Sequence, residues 1–453
     1  MKNNNPYISP ETTVVVMGCG VTGSAAVDYA LSCGAKVLVS DSRDETAFAE
    51  TAAMLKEKGV EWECGHTLNF LLRGGIVLLS PGIAPDNPLV LLLRERGVKV
   101  MGELAVLAPV LSGVKVVAVT GSNGKTTVTS LIGEVLEKLG RSVFVGGNIG
   151  VSLYEYCAGS VDPCEVVVVE VSSFQLEVAG EFAPDVAVLL NITPDHLDRH
   201  HGLQGYIAAK LNILRAQSAE QVAVINGEDA SCQNLSKDFR AEIQSFGYGP
   251  DNQAIVEEGQ LLLVEEEERK VLWLPAGSTG FSSENFAAAA LALRALGVEV
   301  ETLEKYFAEF KRPPHRMELV AEVDGVAWVN DSKATNTGAV IGALRQFDHP
   351  VVLIAGGRDK GEDYHQLCEV VKQRVKAAIL IGESADDIEQ ALVSCTEVHR
   401  AASLEEAVSI GRELAITGET VLLSPACSSF DMYKSYGHRG EVFRAAVHAL
   451  EAK

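Results

Sequence analysis

Short runs of Val, Ile and Leu end in Gly, Ser, Asp or Asn and give way to amphipathic helical stretches, again and again along the chain. No other feature restricts the fold as strongly. A run that is apolar at every position, and not at alternate ones, suits a strand covered on both faces, as in a parallel sheet flanked by helices. The pattern predicts strands at Thr13–Met17, Lys36–Ser40, Ile76–Leu79, Val114–Thr120, Ser142–Val145, Glu165–Val169, Val186–Leu190, Val222–Ile225, Val326–Val329, Val351–Ala355, Ala377–Ile381 and Thr420–Leu423. The stretch Ala254–Leu274 differs. Two alternating segments flank Glu265-Glu266-Glu267-Glu268, which predicts an edge hairpin with a solvated acidic tip. The fold class is α/β, with mostly parallel sheets.

At 453 residues the chain exceeds what a single core needs, and about three domains are expected. Gly102-Glu103 precedes a second strand–Gly loop, and Lys311-Arg312-Pro313-Pro314 punctuates a later boundary. The expected units are residues 1–102, 103–312 and 313–453. No apolar run reaches the ~18 residues of a transmembrane helix. The start, Met1-Lys2-Asn3-Asn4-Asn5-Pro6, lacks an apolar signal region. Nine Cys without a CxxC pair read as reduced thiols, so a cytoplasmic location is expected. With 38 basic and 61 acidic residues the net charge is −23, which disfavours nucleic acid and anionic membranes as partners. Anionic small molecules would need locally basic pockets.

The strongest local signal is Thr120-Gly121-Ser122-Asn123-Gly124-Lys125-Thr126-Thr127, between an expected strand and an amphipathic helix at Val128–Leu139. Glycines let backbone N–H groups close around phosphates, and a helix N-terminus adds a positive dipole end. Lys125 is placed to reach the β- and γ-phosphates, and the Thr126 hydroxyl to bind Mg²⁺. The spacing is one residue short of the full Gly-x4-Gly-Lys-Thr form.

Gly18-Cys19-Gly20-Val21-Thr22-Gly23 follows the first strand, and Asp41 closes the next, where a ribose hydroxyl would be held. This pattern fits a dinucleotide, another nucleotide diphosphate or a purely structural tight turn. Ser80-Pro81-Gly82-Ile83-Ala84-Pro85 ends a further strand at the same sheet edge.

Glu170 stands at the carboxyl end of a buried strand, a costly place for a carboxylate unless it meets a cation. A metal ion or a salt bridge would satisfy it. His196, in Asn191-Ile192-Thr193-Pro194-Asp195-His196-Leu197-Asp198-Arg199-His200, ends another strand and is a metal ligand or a structural histidine. By position alone Lys210 is a solvated helix lysine. In the last third, Asp331-Ser332-Lys333-Ala334-Thr335-Asn336, Gly356-Gly357-Arg358-Asp359-Lys360 and Ser424–Asp431 each follow a strand. Together they would form a cleft in which Lys333, Lys360 and Arg358 await anions.

These segments, with Gly146-Gly147-Asn148-Ile149-Gly150 and His315-Arg316, resemble the Mur ligases, in order and over nearly the whole chain. Within the family, the Ser80-Pro81-Gly82-Ile83 loop and the Ser424–Asp431 segment with Lys434 and Tyr436 are similar to members that add D-glutamate. The Asp-Asn-Pro of diaminopimelate- or lysine-adding members occurs only as Asp86-Asn87-Pro88, in the first unit, where it is coincidental.

The resemblance implies three Rossmann-like domains, with a P-loop ATPase-like central one, that bind a UDP-linked substrate, ATP and an amino acid. It implies ATP-dependent addition of D-glutamate to UDP-N-acetylmuramoyl-L-alanine through an acyl phosphate, in peptidoglycan precursor synthesis, by a monomer. Gly20, Val21, Thr22, Asp41, Ser42, Arg43, Ser80, Gly82 and Asn148 would hold the UDP substrate. Gly121, Ser122, Asn123, Gly124, Lys125, Thr126, Thr127, Asn285, Arg316 and Asp331 would hold ATP. Thr126, Glu170, His196 and Lys210 would hold two Mg²⁺ ions, with Lys210 carbamylated. Thr335, Lys360, Ser429, Phe430 and Tyr436 would receive D-glutamate, and Lys125, Lys210, His196 and Lys333 would carry the catalysis. Two positions depart from the family pattern. Ser282, in Phe281-Ser282-Ser283-Glu284-Asn285, replaces an amide-bearing pattern at the adenine pocket, and Tyr436 stands where Phe is usual. A nicotinamide-dependent dehydrogenase, the main rival, would leave Lys125, Glu170 and His196 without work. A guanine-nucleotide switch would lack its Asn-Lys-x-Asp, and the uridine-type first unit argues against a folate polyglutamate ligase.

Overall fold

The computed structural model describes residues 5–233, 239–257, 259–265, 268–275, 278, 281–310 and 313–451. Three sheets carry the fold. The first contains β1 (Thr13–Met17), β2 (Lys36–Asp41), β3 (Glu61–Cys64), β4 (Ile76–Leu79) and β5 (Lys99–Met101), all parallel, in the order β3-β2-β1-β4-β5. The order reverses between β1 and β4, so the loops that follow these two strands lie side by side. Ligands of open α/β sheets settle in that crevice.

The second sheet contains β6 (Lys115–Thr120), β7 (Val143–Gly147), β8 (Val166–Glu170), β9 (Val186–Leu189), β10 (Val222–Asn226), β11 (Glu242–Gly247), β12 (Ala254–Glu257), β13 (Gln260–Glu265) and β14 (Glu268–Trp273). Its order is β14-β13-β12-β11-β10-β9-β6-β8-β7, parallel from β7 to β12 and antiparallel beyond. The central strands are buried along most of their length, as β8 with its sequence Val-Val-Val-Val-Glu shows. Branched side chains pack well on both faces of such a sheet.

The third sheet contains β15 (Glu318–Val323), β16 (Val326–Asn330), β17 (Val351–Gly356), β18 (Val375–Ile381), β19 (Glu397–Arg400) and β20 (Thr420–Leu423), in the order β15-β16-β20-β17-β18-β19. Only β15 runs antiparallel to its neighbour. Since β16, β20 and β17 are adjacent, the three loops singled out in the last third share one edge, as expected.

The expected edge hairpin at Ala254–Leu274 is instead three strands. The first alternating segment breaks at Gly259, whose φ of +71° lets the chain reverse between β12 and β13. Glu265 and Glu268 pair at the next reversal. Glu266 and Glu267, the rest of the acidic tip, lie outside the described residues, as do Lys311 and Arg312 of the second boundary and Met1–Asn4 of the start. At the first boundary Gly102 packs against Val178 so tightly that a Cβ would collide. Beside it the buried Glu103 accepts hydrogen bonds from the Leu153 and Tyr154 amides and from Gln175. Among the described residues no helix is long and apolar enough to cross a membrane.

Candidate active site

The loop after β6 is shaped by two glycines. Gly121 has φ +153° and Gly124 φ +87°, and a Cβ on Gly124 would overlap the side-chain oxygen of Asn285. The helix Lys125–Lys138 starts directly behind. Lys125 Nζ donates to the Gly121 and Ser122 carbonyls at 2.8 and 2.9 Å, so its amine lies over its own loop. Burial pushes its pKa down.

Thr126 joins three elements. Its Oγ1 donates to Glu170 Oε2 at 2.6 Å and accepts from the Arg316 guanidinium at 2.7 Å. Asn148 Nδ2 donates to the other Glu170 oxygen at 2.9 Å. Glu170 is 1% exposed, and burial alone would raise its pKa. The charge of Lys125 and the bonds from Thr126 and Asn148 outweigh that and hold the carboxyl below its ordinary value.

Lys210 is also fully buried, contrary to the solvated helix lysine expected from its position. It sits on the helix Leu203–Arg215 and faces the back of the P-loop, where Nζ donates to the Gly121 carbonyl at 2.8 Å. Its amine also lies 4.7 Å from the Tyr206 ring centroid. Burial, reinforced by the nearby charge of Lys125, drives its pKa well below that of an ordinary lysine.

His196 has φ +53° and stacks on Phe174 at 4.9 Å between centroids. Burial lowers its pKa to about 4 against the pull of Asp195, so the ring is neutral at pH 7 and has a lone pair to offer. Asp195 binds elements of the third sheet: Asn336 donates to it at 3.4 Å, and Lys360 Nζ lies 3.8 Å away. Its Oδ1 is buried without a hydrogen bond.

Facing the P-loop, Asp331 accepts from the Ser424 hydroxyl and from the Met317 amide. Lys333 Nζ lies 3.9 Å from the Tyr436 ring centroid. A cavity of about 100 Å³ is bounded by Asn123, Gly124, Thr127, Ser282, Asn285, Arg316, Asp331 and Lys333. The substituted Ser282 and the retained Asn285 therefore both line it. Thr335 is half-buried, Ser429 is buried, and Phe430 is exposed.

In the first sheet's crevice, Ser80 Oγ donates to the Gly18 carbonyl at 2.5 Å, which ties the loops after β1 and β4 together. Asp41 accepts from the Cys19 amide at 2.7 Å and from Arg43 at 2.8 Å. Burial opposes its ionisation, but hydrogen bonds from Arg43 and the two amides win and hold it at about 2. Gly20, Val21, Thr22 and Ser42 line the same edge, with Val21 largely exposed. Nothing lies within 4 Å of where a Cβ on Gly82 would stand.

Two arginines were not singled out from the sequence. Arg199 donates to the carbonyls of Pro81, Gly82 and Ile83 and to Glu177, which also meets His200 at 3.0 Å. It thereby pins the loop after β4 to the second sheet. Arg439 is 1% exposed and donates to the Ser332, Cys427 and Ser428 carbonyls, which holds the loops after β16 and β20 together. A sequence signal was present at Gly440, because an isolated glycine inside a helix marks a close approach. A Cβ there would strike the His315 ring.

A glycine-shaped loop on a central sheet, flanked by two further α/β units of which the third sends Arg316 and Asn336 to it, is the architecture of a three-domain ATP-dependent ligase. Family models match residues 12–102 as a Mur ligase MurD-like N-terminal domain, 119–292 as a Mur ligase middle domain and 315–427 as a Mur ligase glutamate ligase domain. The chain belongs to the Mur ligase family. It is 46% identical to the UDP-N-acetylmuramoylalanine--D-glutamate ligase of Desulfotalea psychrophila, over 100% of this chain and 99% of that protein. It is 40% identical to the enzyme of the same name from a Geobacter species, over 96% and 97%. The fold is shared with Thermotoga maritima MurF in complex with ADP, at 20% identity, TM-score 0.63 and 98% and 97% coverage. It is also shared with a pseudomurein peptide ligase type C from Methanothermus fervidus, at 19% identity, TM-score 0.63 and 97% and 100% coverage.

Proposed function

We propose that this chain adds D-glutamate to UDP-N-acetylmuramoyl-L-alanine at the expense of ATP. Residues 1–102 hold the UDP substrate, 103–312 hold ATP, and 313–453 bring the amino acid. The observation that carries this reading is the meeting of Lys125, Thr126, Glu170 and Arg316 at one point, reached from two of the three sheets. Such a site stabilises phosphoryl transfer by position and charge.

The alanine carboxylate attacks the γ-phosphorus of ATP, which releases ADP and leaves an acyl phosphate. Lys125 swings from its loop carbonyls to the γ-phosphate, and Arg316 and Lys333 close on the phosphates from the third unit. The D-glutamate amine, aligned by Thr335, Lys360, Ser429, Phe430 and Tyr436, then attacks the acyl carbon. The tetrahedral intermediate expels phosphate, and the amine proton leaves to solvent. Water would destroy the acyl phosphate, so closure of the third unit precedes the chemistry. Gly20, Val21, Thr22, Asp41, Ser42, Arg43, Ser80, Gly82 and Asn148 hold the other substrate.

Among the described residues no three His, Cys, Asp or Glu side chains cluster as a metal site. The Thr126 hydroxyl would hold one Mg²⁺, and the Glu170 carboxylate with the neutral His196 ring a second, the two oxygen donors being the ligand type Mg²⁺ favours. When bound, Mg²⁺ neutralises charge on the transferring phosphoryl group. Lys210 contributes as a carbamate. Burial favours the neutral amine of Lys210, the form that reacts with CO₂ with loss of a proton, and the product would supply the anionic oxygens that an ammonium lacks. The chain works as a cytoplasmic monomer.

The test is to incubate purified protein with ATP, Mg²⁺, UDP-N-acetylmuramoyl-L-alanine and D-glutamate. Mass spectrometry should show the nucleotide product heavier by one glutamyl residue. No such product, with a folded protein, would overturn the reading.

A further inference from the structure

At the amino-terminal edge of the second sheet, opposite the P-loop, two adjoining cavities run beneath the junction of the first two units. One has a volume of about 620 Å³ and is bounded by Tyr7, Ala108, Leu111, Val114 and Phe182, with the Lys115–Asp185 ion pair also on its wall. The other, about 510 Å³, is bounded by Arg94, Arg215 and Arg240. They share Met101, Ala105, Gly180 and Glu181, so they form one groove with an apolar arm and a basic arm.

Three exposed arginines line the second arm. The chain has a net charge of −23, and Arg43, Arg73 and Arg199 each pair with a carboxylate. Among the described residues, Arg94, Arg215 and Arg240 form no ion pair. Arg94 makes one hydrogen bond, to the Pro85 carbonyl. The carboxylate of Glu177, in the same arm, is already engaged by Arg199 and His200. Glu181 sits at the seam and so keeps an anionic group in the arginine arm. Guanidinium forks match phosphate and carboxylate geometry, and cavities of this size at domain junctions are where small ligands bind.

We infer that this groove is a second ligand site, for an amphiphilic anion whose phosphate or carboxylate head meets Arg94, Arg215 and Arg240 and whose apolar body lies along Met101, Leu111 and Phe182. Its occupant would bridge the two units. Arg94 and Met101 belong to the first, whereas Arg215 ends the helix that carries Lys210. Occupancy therefore bears on the angle at which the first unit meets the second, and on the grip on the UDP-linked substrate.

The probe is n-octyl phosphate, added to the intact protein with ADP present to fill the P-loop and followed by calorimetric titration. Inorganic phosphate and octanol are the single-feature controls. The expected result is one saturable site for octyl phosphate and at least tenfold weaker binding of either control. The double variant R215A/R240A should lose at least tenfold in octyl phosphate affinity, as should Ala105→Trp, which fills the seam. Unchanged melting temperatures would show that both variants fold. Absence of saturable binding to the wild-type protein, or affinity unchanged in both variants, would overturn the inference. Inorganic phosphate binding as tightly as octyl phosphate would overturn the apolar arm. None of these readouts depends on ligase activity.

Discussion

Arg316 donates to the Thr126 hydroxyl at 2.7 Å, across the gap between the third and second units. The same hydroxyl donates to Glu170. One oxygen thus links the third unit to the phosphate loop and to the carboxylate nearest it. Arg316→Ala should raise the KM for ATP at least tenfold and slow turnover, since a charge-assisted bond contributes about 1.5–3 kcal/mol. Affinity for the UDP-linked substrate should stay within about threefold, and calorimetric titration of each ligand separates the two effects.

Lys125→Ala should abolish ligation while leaving UDP-substrate binding nearly intact, because all the residues proposed for that substrate except Asn148 lie on the first sheet. Equal loss of both would mean that the assignment of the units is wrong.

Lys360 is a cation of the third unit that rests 3.8 Å from Asp195, the neighbour of His196. Lys360→Ala should raise the D-glutamate KM by one to two orders of magnitude, at about 1.5–3 kcal/mol for a charged contact, and the ATP KM far less. An unchanged D-glutamate response in steady-state kinetics would remove Lys360 from the amino-acid site.

Lys210→Ala should lose most activity. Short carboxylates such as acetate or formate should restore part of it by filling the vacated oxygen position. An alanine variant with near-wild-type turnover would exclude the carbamate.

Much of this was legible because the signals are local. The strand–Gly–Lys–Thr–helix unit lies within one stretch, and its glycines have the positive φ such a loop needs. The short strands β3, β5 and β19 were not predicted. Glu61-Trp62-Glu63-Cys64 and Glu397-Val398-His399-Arg400 are edge strands, half exposed and rich in polar residues, so they lack the apolar run that marks a central strand. The edge strand β15 and the partly exposed β11 escaped for the same reason. Lys210 looked bland because its burial comes from the back of the P-loop, 89 residues away in sequence. Arg199 and Arg439 are long-range as well. Their partners are mostly backbone carbonyls, which leave no trace in side-chain composition.

Asp41 gives a pH prediction. Its carboxyl ionises at about 2 in the folded protein, against about 3.9 for an unperturbed aspartate. Between these values the unfolded chain binds more protons, so the contribution to stability is present above about pH 4 and is lost as pH falls towards 2. Asp41→Asn should lower unfolding free energy by roughly 2 kcal/mol at pH 7, and the difference should vanish near pH 2. Urea titrations at several pH values check it. A difference that persists unchanged at pH 2 would show that the carboxylate's charge is not what stabilises the loop.

The most direct test of the central claim is phosphate release from ATP in the presence of UDP-N-acetylmuramoyl-L-alanine, with D-glutamate, L-glutamate or diaminopimelate supplied in turn. Sustained release is expected with D-glutamate alone, at one phosphate per amide formed. Equal or faster release with L-glutamate or diaminopimelate, or release indifferent to the UDP-linked substrate, would contradict the account.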